Sequence, residues 1–284
     1  MESQKKFPKT FSMEFFPPKT EEGAVKLRAT REELGKLKPE YFSVTFGAGG
    51  STQDGTLETV LEIQQAGFDA APHLSCISSN KTQIRKLLNT YKENGVKRIV
   101  TLRGDMPSGT GGAAGELRYA NELVEFIREE TGDHFKLEVA AYPEFHPQAQ
   151  NASDDLKNFK RKVDAGANAA ITQYFYNVDS YFRFVDAVET MGIDIPIIPG
   201  IMPITNYKML ARFSDACGAE IPRWLRWRLQ DFADDIEGLR TFGMDVTVKL
   251  CEDLLAGGAP GLHFYTMNQV GPTKTLYERL GLNK

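Results

Sequence analysis

Glu14 stands inside an aromatic run, Phe11-Ser12-Met13-Glu14-Phe15-Phe16-Pro17-Pro18. An ionised carboxylate among phenyl rings is costly unless it is paired. Desolvation is therefore expected to raise its pKa and keep it protonated near neutrality. A protonated carboxyl in a cleft is a general-acid candidate. The competing reading turns Glu14 outward to solvent, as strand alternation allows. Other reactive or polar groups close later apolar runs: Thr45, His73, Arg103-Gly104-Asp105, Tyr142-Pro143-Glu144-Phe145-His146, Gln173-Tyr174-Phe175, Pro199-Gly200-Ile201-Met202-Pro203 and Tyr265-Thr266-Met267-Asn268. A Gln ending an apolar strand needs buried partners. Asp105 also suits a turn before Pro107, and Thr45 is a good strand residue in any case. His73, His146 and His263 show no HxH or HExxH spacing, so no metal site is expected. No Ser-His-Asp or Cys-His arrangement declares itself.

A second group lies in the helical pattern after the fifth run. Asp155, Asn158, Arg161 and Lys162 stand at i, i+3, i+6 and i+7 and can share one helix stripe. Acceptors for ribose hydroxyls followed by cations for a diphosphate suit a nucleotide, whereas a basic run is also an ordinary solvated face. The glycine cluster Gly47-Ala48-Gly49-Gly50-Ser51-Thr52 fails the GxGxxG pattern at Thr52. It fits a tight loop where backbone approaches a ligand closely.

The elements that must position these groups alternate along the chain. Strands are expected near 10–16, 40–46, 69–75, 97–102, 136–142, 168–174, 194–199 and 261–266. Helices are expected near 21–36, 53–66, 80–94, 116–130, 152–165, 178–191 and 206–217, then two within 222–257 and one near 270–281. Such alternation argues for parallel βαβ units, and eight of them for a closed (β/α)8 TIM barrel, α/β in class. An open doubly wound sheet would carry its Gly-rich turn after the first strand, where Pro17-Pro18 stands. In a barrel the C-terminal strand ends form the active-site rim, and the groups above converge there. No linker breaks the pattern, so residues 1–284 read as one domain.

The bulk properties agree. The 284 residues are 41% hydrophobic, with a formal net charge of −4 and no clustered basic face for nucleic acid. No apolar run approaches the length of a membrane span, and the N-terminus lacks a signal core, so a cytoplasmic protein is expected. Cys76, Cys217 and Cys251 are far apart and read as free thiols.

Several segments in order carry a family resemblance. They are Glu14-Phe15-Phe16-Pro17-Pro18, Ser43-Val44-Thr45-Phe46-Gly47-Ala48, Ala71-Pro72-His73-Leu74, Leu102-Arg103-Gly104-Asp105 and Ala141-Tyr142-Pro143-Glu144 with His146-Pro147. Lys160-Arg161-Lys162 with Val163-Asp164-Ala165-Gly166-Ala167, Ile171-Thr172-Gln173, Ile198-Pro199-Gly200-Ile201-Met202-Pro203 and His263-Phe264-Tyr265-Thr266 complete them. Across nearly its whole length the chain resembles bacterial-type 5,10-methylenetetrahydrofolate reductases. The length of the sequence leads to the expectation that the C-terminal regulatory domain of the eukaryotic members is lacking. The resemblance implies a TIM-barrel flavoprotein of one-carbon metabolism and methionine biosynthesis, homo-oligomeric, with non-covalent FAD. It implies FAD contacts from Thr45, His73, Arg103, Gly104, Asp105, Tyr119, Ala120, Tyr142, His146, Asp155, Asn158, Arg161 and Lys162. Glu14, Asp105, Gln173 and Phe213 would line the folate side, with Glu14 and Asp105 catalytic.

The implied mechanism is ping-pong. NADH or NADPH gives a hydride to the flavin and leaves; methylenetetrahydrofolate takes its place. Glu14 protonates N10, the five-membered ring opens to an N5 iminium cation, and the reduced flavin delivers the hydride. The family's Arg after the last strand, which meets the folate glutamate tail, is replaced by Gln269, and Met209 stands in the helix after strand 7. The tail would then rest on Lys274, Lys208 or another cation. Two rival readings stay open: a pterin-binding barrel that passes a methyl group to a corrinoid protein without flavin, and a non-catalytic barrel subunit docked on a redox partner.

Overall fold

Short apolar runs separated by capped helices build a ring of parallel strands in the computed structural model, which describes residues 1–46, 53–77, 79–104 and 116–282. The elements run α1 (Glu2–Lys5), β1 (Thr10–Phe15), α2 (Glu21–Gly35), β2 (Tyr41–Val44), α3 (Gln53–Gln65), β3 (Ala70–Ser75) and α4 (Lys81–Glu93). Then come β4 (Arg98–Leu102), α5 (Ala120–Thr131), β5 (Lys136–Ala141), α6 (Ala152–Asp164), β6 (Ala169–Thr172) and α7 (Val178–Thr190). The chain finishes with β7 (Ile197–Ile198), β8 (Gly200–Ile201), α8 (Tyr207–Cys217), α9 (Arg223–Asp231), α10 (Ile236–Gly257), β9 (Gly261–Tyr265) and α11 (Val270–Arg279). Helix starts follow the sequence: Thr20, Asn80, Asn151, Asn177, Asn206 and Asp235 each accept a backbone N–H of the first turn.

The strand order is β7-β6-β5-β4-β3-β2-β1-β9-β8, all parallel. β7 and β8 are two halves of one barrel strand separated by Pro199, which has no N–H for the ladder. The first half pairs with β6 and the second with β9, so the strand bridges both neighbours and the (β/α)8 ring is nearly closed. The expected strand at 194–199 is thus displaced toward its C-terminal side, because Pro196 and Pro199 interrupt pairing. One element had no sequence signal. The single turn α1 lies under the barrel, held by buried Gln4, whose side chain accepts from Ile197 N at 2.8 Å and donates to Ile195 O at 3.2 Å.

Two apolar layers and one polar one result. Odd-numbered β1 residues Met13 and Phe15 face the helices within the large core. Their neighbours Ser12 and Glu14 point to the barrel axis, since successive strand side chains alternate. Among the described residues the axis holds a small apolar cluster of Tyr41, Ala71, Val100 and Ile171. The rest of it carries polar side chains, and these make the site. No helix among the described residues is long and apolar enough to cross a membrane.

Candidate active site at the C-terminal rim

Glu14 does point inward, and it does not stand alone. His263 Nε2 lies 3.5 Å from Glu14 Oε2, and His73 Nε2 lies 3.3 Å from the same oxygen. The His73 approach is poorly aligned, leaving that buried nitrogen without a hydrogen bond among the described residues. On its far side, His263 Nδ1 meets the Ser12 hydroxyl at 2.7 Å. These partners reverse the expected protonation. Burial pushes the Glu14 pKa up, but the hydrogen bond from His263 and the nearness of His73 outweigh it and hold the group at about 2. Glu14 therefore rests as a carboxylate beside two imidazoles, rather than as the isolated neutral acid expected from its aromatic neighbours.

The rim above Glu14 is braced by strained backbone. Met267 and Asn268 both adopt left-handed conformations, with φ of 52° and 55°. The Asn268 side chain holds this turn against the end of β1: it accepts from Phe16 N at 3.0 Å and donates to Phe16 O at 2.9 Å. Thr266 donates to Glu14 O at 2.6 Å. The first and last strands are thus clasped beside the carboxylate.

A second cluster links β4, the loop after β5, and α6. Arg103 donates to Gln148. Gln148 N donates to His146 Nδ1 at 3.0 Å, and His146 N donates to Asp155 Oδ2 at 2.9 Å. Tyr142 and His146 pack edge to face with ring centroids 4.6 Å apart. On α6, Arg161 donates to Asn158 Oδ1 at 2.8 Å and stays exposed. Lys162 turns the other way. The residue is half-buried, and its ammonium donates to Ala140 O. Burial there lowers its pKa to about 8, against the pull of Asp155 upward. The expected single stripe is thus split. Asp155 serves the loop, Asn158 and Arg161 form an exposed pair, and Lys162 is a desolvated cation with no carboxylate ion pair among the described residues.

Gly104 closes β4 with φ of 86°, and a Cβ there would overlap the Ser75 hydroxyl. Thr45 is buried with its hydroxyl unpaired among the described residues. Tyr119 and Ala120 begin α5, with the Tyr119 ring exposed. On the opposite side, Gln173 is half-buried and its Oε1 accepts from Tyr174 N at 3.0 Å. Tyr174 Oη meets Ser214 Oγ at 3.0 Å, which draws α8, with exposed Phe213 and Met209 on one face, toward this strand end. Asp105 and the cluster Gly47–Thr52 lie outside the described residues. Lys274 is not gathered here: it is exposed on α11 and, after Lys36, contributes to the positive field that lowers the Glu33 pKa. Lys208 and Gln269 are both exposed.

The model of the methylenetetrahydrofolate reductase family matches residues 1–281. The 5,10-methylenetetrahydrofolate reductase of Escherichia coli is 40% identical over 272 residues, covering 95% of this chain and 90% of that protein. The chain belongs to the methylenetetrahydrofolate reductase family. It is an enzyme of that class. A probable methylenetetrahydrofolate reductase (NADH) of Oryza sativa is 38% identical, covering 96% of this chain but 48% of its own length. The chain therefore spans about half of that plant relative. In fold it is similar to a Clostridium thermocellum protein described as binding two copies of 5-methyl-5,6,7,8-tetrahydrofolic acid. That match has a TM-score of 0.69 at 19% identity and covers 100% and 96% of the two chains.

Within this reductase fold the sequence reading missed Ser12 and His263 as partners of Glu14. Spacing offered a signal for Ser12, two residues before Glu14 and so on the same face. Nothing local pointed to His263, which arrives 249 positions later.

Proposed function

We propose that this protein reduces 5,10-methylenetetrahydrofolate to 5-methyltetrahydrofolate with NADH or NADPH, using bound FAD in two successive half-reactions. The observation that carries the reading is Glu14, seated between His73 and His263 at the rim of a barrel of this family. FAD suits the second cluster on physical grounds. Lys162 is a desolvated cation with no salt bridge among the described residues, Thr45 Oγ1 and His73 Nε2 are buried polar atoms without partners among the described residues, and Tyr119 offers an exposed ring. A diphosphate beside Lys162 and Arg161, and a polar ring edge near Thr45 and His73, would satisfy them. The flavin would supply hydride acceptance and donation.

Arg103, Gly104, Asp105, Tyr119, Ala120, Tyr142, His146, Asp155 and Asn158 complete the proposed cofactor set. Gln173 and Phe213 would hold the folate, the amide at the pterin edge and the ring against its aromatic body. Asp105 would favour a cationic folate intermediate electrostatically. Glu14 delivers a proton to folate N10. Since the carboxylate is anionic at rest, that proton comes through the imidazole beside it, which donates from a ring N–H. The N10–H bond forms as the ring C–N bond breaks, and the iminium left at N5 accepts the hydride.

The test is the purified protein itself. A flavin absorption spectrum, bleached by NADH or NADPH and restored by methylenetetrahydrofolate, supports the reading. A colourless protein that moves a methyl group to a corrinoid partner, or a yellow one that oxidises neither nucleotide, overturns it.

A further inference from the structure

Both tryptophans of the chain stand on α9, and both are exposed, Trp224 by 52% and Trp227 by 53%. Leu225 and Leu229 are buried and seat the helix on the core. At 3.6 residues per turn the direction opposite those leucines is that of Trp227. Arg223 and Asp231, four residues before and after it, share that outward stripe, and Trp224 lies beside it. All four are exposed. The Arg223 guanidinium lies 4.2 Å from the centre of the Trp227 ring. The charges of this stripe are out of place within one chain. Elsewhere exposed helix charges pair one turn away, as Glu22 does with Lys26, Lys160 with Asp164 and Lys249 with Asp253, whereas Arg223 and Asp231 have no salt bridge among the described residues. They stand two turns apart, about 12 Å along the axis. Each also occupies the helix end whose dipole disfavours its sign, the cation at the start and the anion at the close.

An antiparallel copy of the same helix answers both mismatches. Trp227 is the midpoint of the stripe, so a twofold axis through it sets Trp227 against its own counterpart. The same axis sets Arg223 of each copy against Asp231 of the other. We propose that α9 is the centre of an isologous interface between two copies of this chain. The reversed direction brings each anion to the positive end of the facing helix and each cation to the negative end. This charge pattern selects a second copy over an unrelated partner. A uniformly acidic surface would meet Asp231, and a uniformly basic one would meet Arg223. Trp and Arg are also the side chains that most often carry the energy of protein contacts. The helix is nine residues long, so it supplies the centre. Neighbouring exposed groups such as Ile236, at the start of α10, supply the margin of the roughly 1,600 Å² that a stable interface buries.

The test is the molecular mass of the full chain as purified, measured by sedimentation across a dilution series, with tryptophan emission read on the same samples. The chain has only these two tryptophans, so emission reports on α9 alone. The parent should be associated, and emission should shift to the red at the concentration where it separates. Trp227→Glu places two carboxylates on the axis and should raise the dissociation constant at least about a hundredfold. Arg223→Asp sets each new carboxylate against Asp231 and should raise it at least about tenfold. Arg223→Asp combined with Asp231→Arg rebuilds both pairs in the opposite sense and should restore most of that loss. If Trp227→Glu fails to fold, the Arg223 and Asp231 variants carry the test alone. A parent that stays a monomer, or an assembly whose mass ignores these variants, overturns the proposal. So does a charge swap that fails to restore association. Emission shifted by methylenetetrahydrofolate in a monomeric parent would assign the face to a ligand and equally overturn it.

Discussion

Lys162→Met should make the ligand-free protein more stable and the cofactor-bound protein weaker. Lys162 is held at about 8 against an ordinary 10.5. At roughly 1.4 kcal/mol per unit, the buried charge costs about 3 kcal/mol at neutral pH. The methionine loses the bond to Ala140 O, about 1 kcal/mol, and the cation–π contact with Phe159, about 0.5 kcal/mol. The expected net gain is about 1–2 kcal/mol. The sign with pH follows from the folded value being depressed. Below pH 8 both folded and unfolded chains carry the charge and the penalty is full. Between about 8 and 10.5 only the unfolded chain holds the proton, so parent stability rises with pH, and the penalty is gone above 10.5. Denaturant unfolding of flavin-free parent and variant at pH 7 and pH 10 reads this directly. Flavin retention should fall in the same variant by the loss of a charge-assisted phosphate contact, about 1.5–3 kcal/mol. A variant less stable than the parent at pH 7, or an advantage that grows toward pH 10, would refute the reasoning about a desolvated cation awaiting an anion.

Two further substitutions probe the rim. Gly104→Ala combines a left-handed φ with overlap on Ser75; it should cost at least about 1–2 kcal/mol and loosen flavin, read by thermal unfolding and by flavin released on dilution. Asn268→Ala removes both bonds to Phe16 and leaves alanine at φ 55°, costing about 2–3 kcal/mol, while Asn268→Gly keeps the turn and should recover about 1 kcal/mol of that. Denaturant midpoints for the pair check the ordering.

Most of the barrel was legible because each strand is a short apolar run and most helices start at a side-chain cap. The seventh strand was misplaced because Pro196 and Pro199 act on pairing, not on apolar content. Helix α1 escaped because one turn held by a Gln4 amide leaves no periodicity. The protonation of Glu14 was read wrongly for a deeper reason. Local sequence shows its phenyl neighbours, but Met13 and Phe15 face the helices, and the groups that actually touch it come from β3 and β9. Lys162 likewise parted from Arg161 because adjacent helix residues point about 100° apart, as 3.6 residues per turn require. The buried bonds of Tyr41 and Arg98 to Glu138 left one trace in sequence: a Glu inside the apolar strand Lys136–Ala141.

The central claim is that Glu14 supplies the proton that opens the folate ring, and it needs one stopped-flow experiment. Glu14→Gln keeps size and hydrogen-bonding capacity while deleting the acid. The variant should bind flavin and be reduced by NADH or NADPH, and pass electrons to a quinone. Its reoxidation by methylenetetrahydrofolate should be slower by about 10²–10⁴-fold, the loss typical of a missing general acid. Reoxidation as fast as in the parent would place the acid elsewhere and contradict the account.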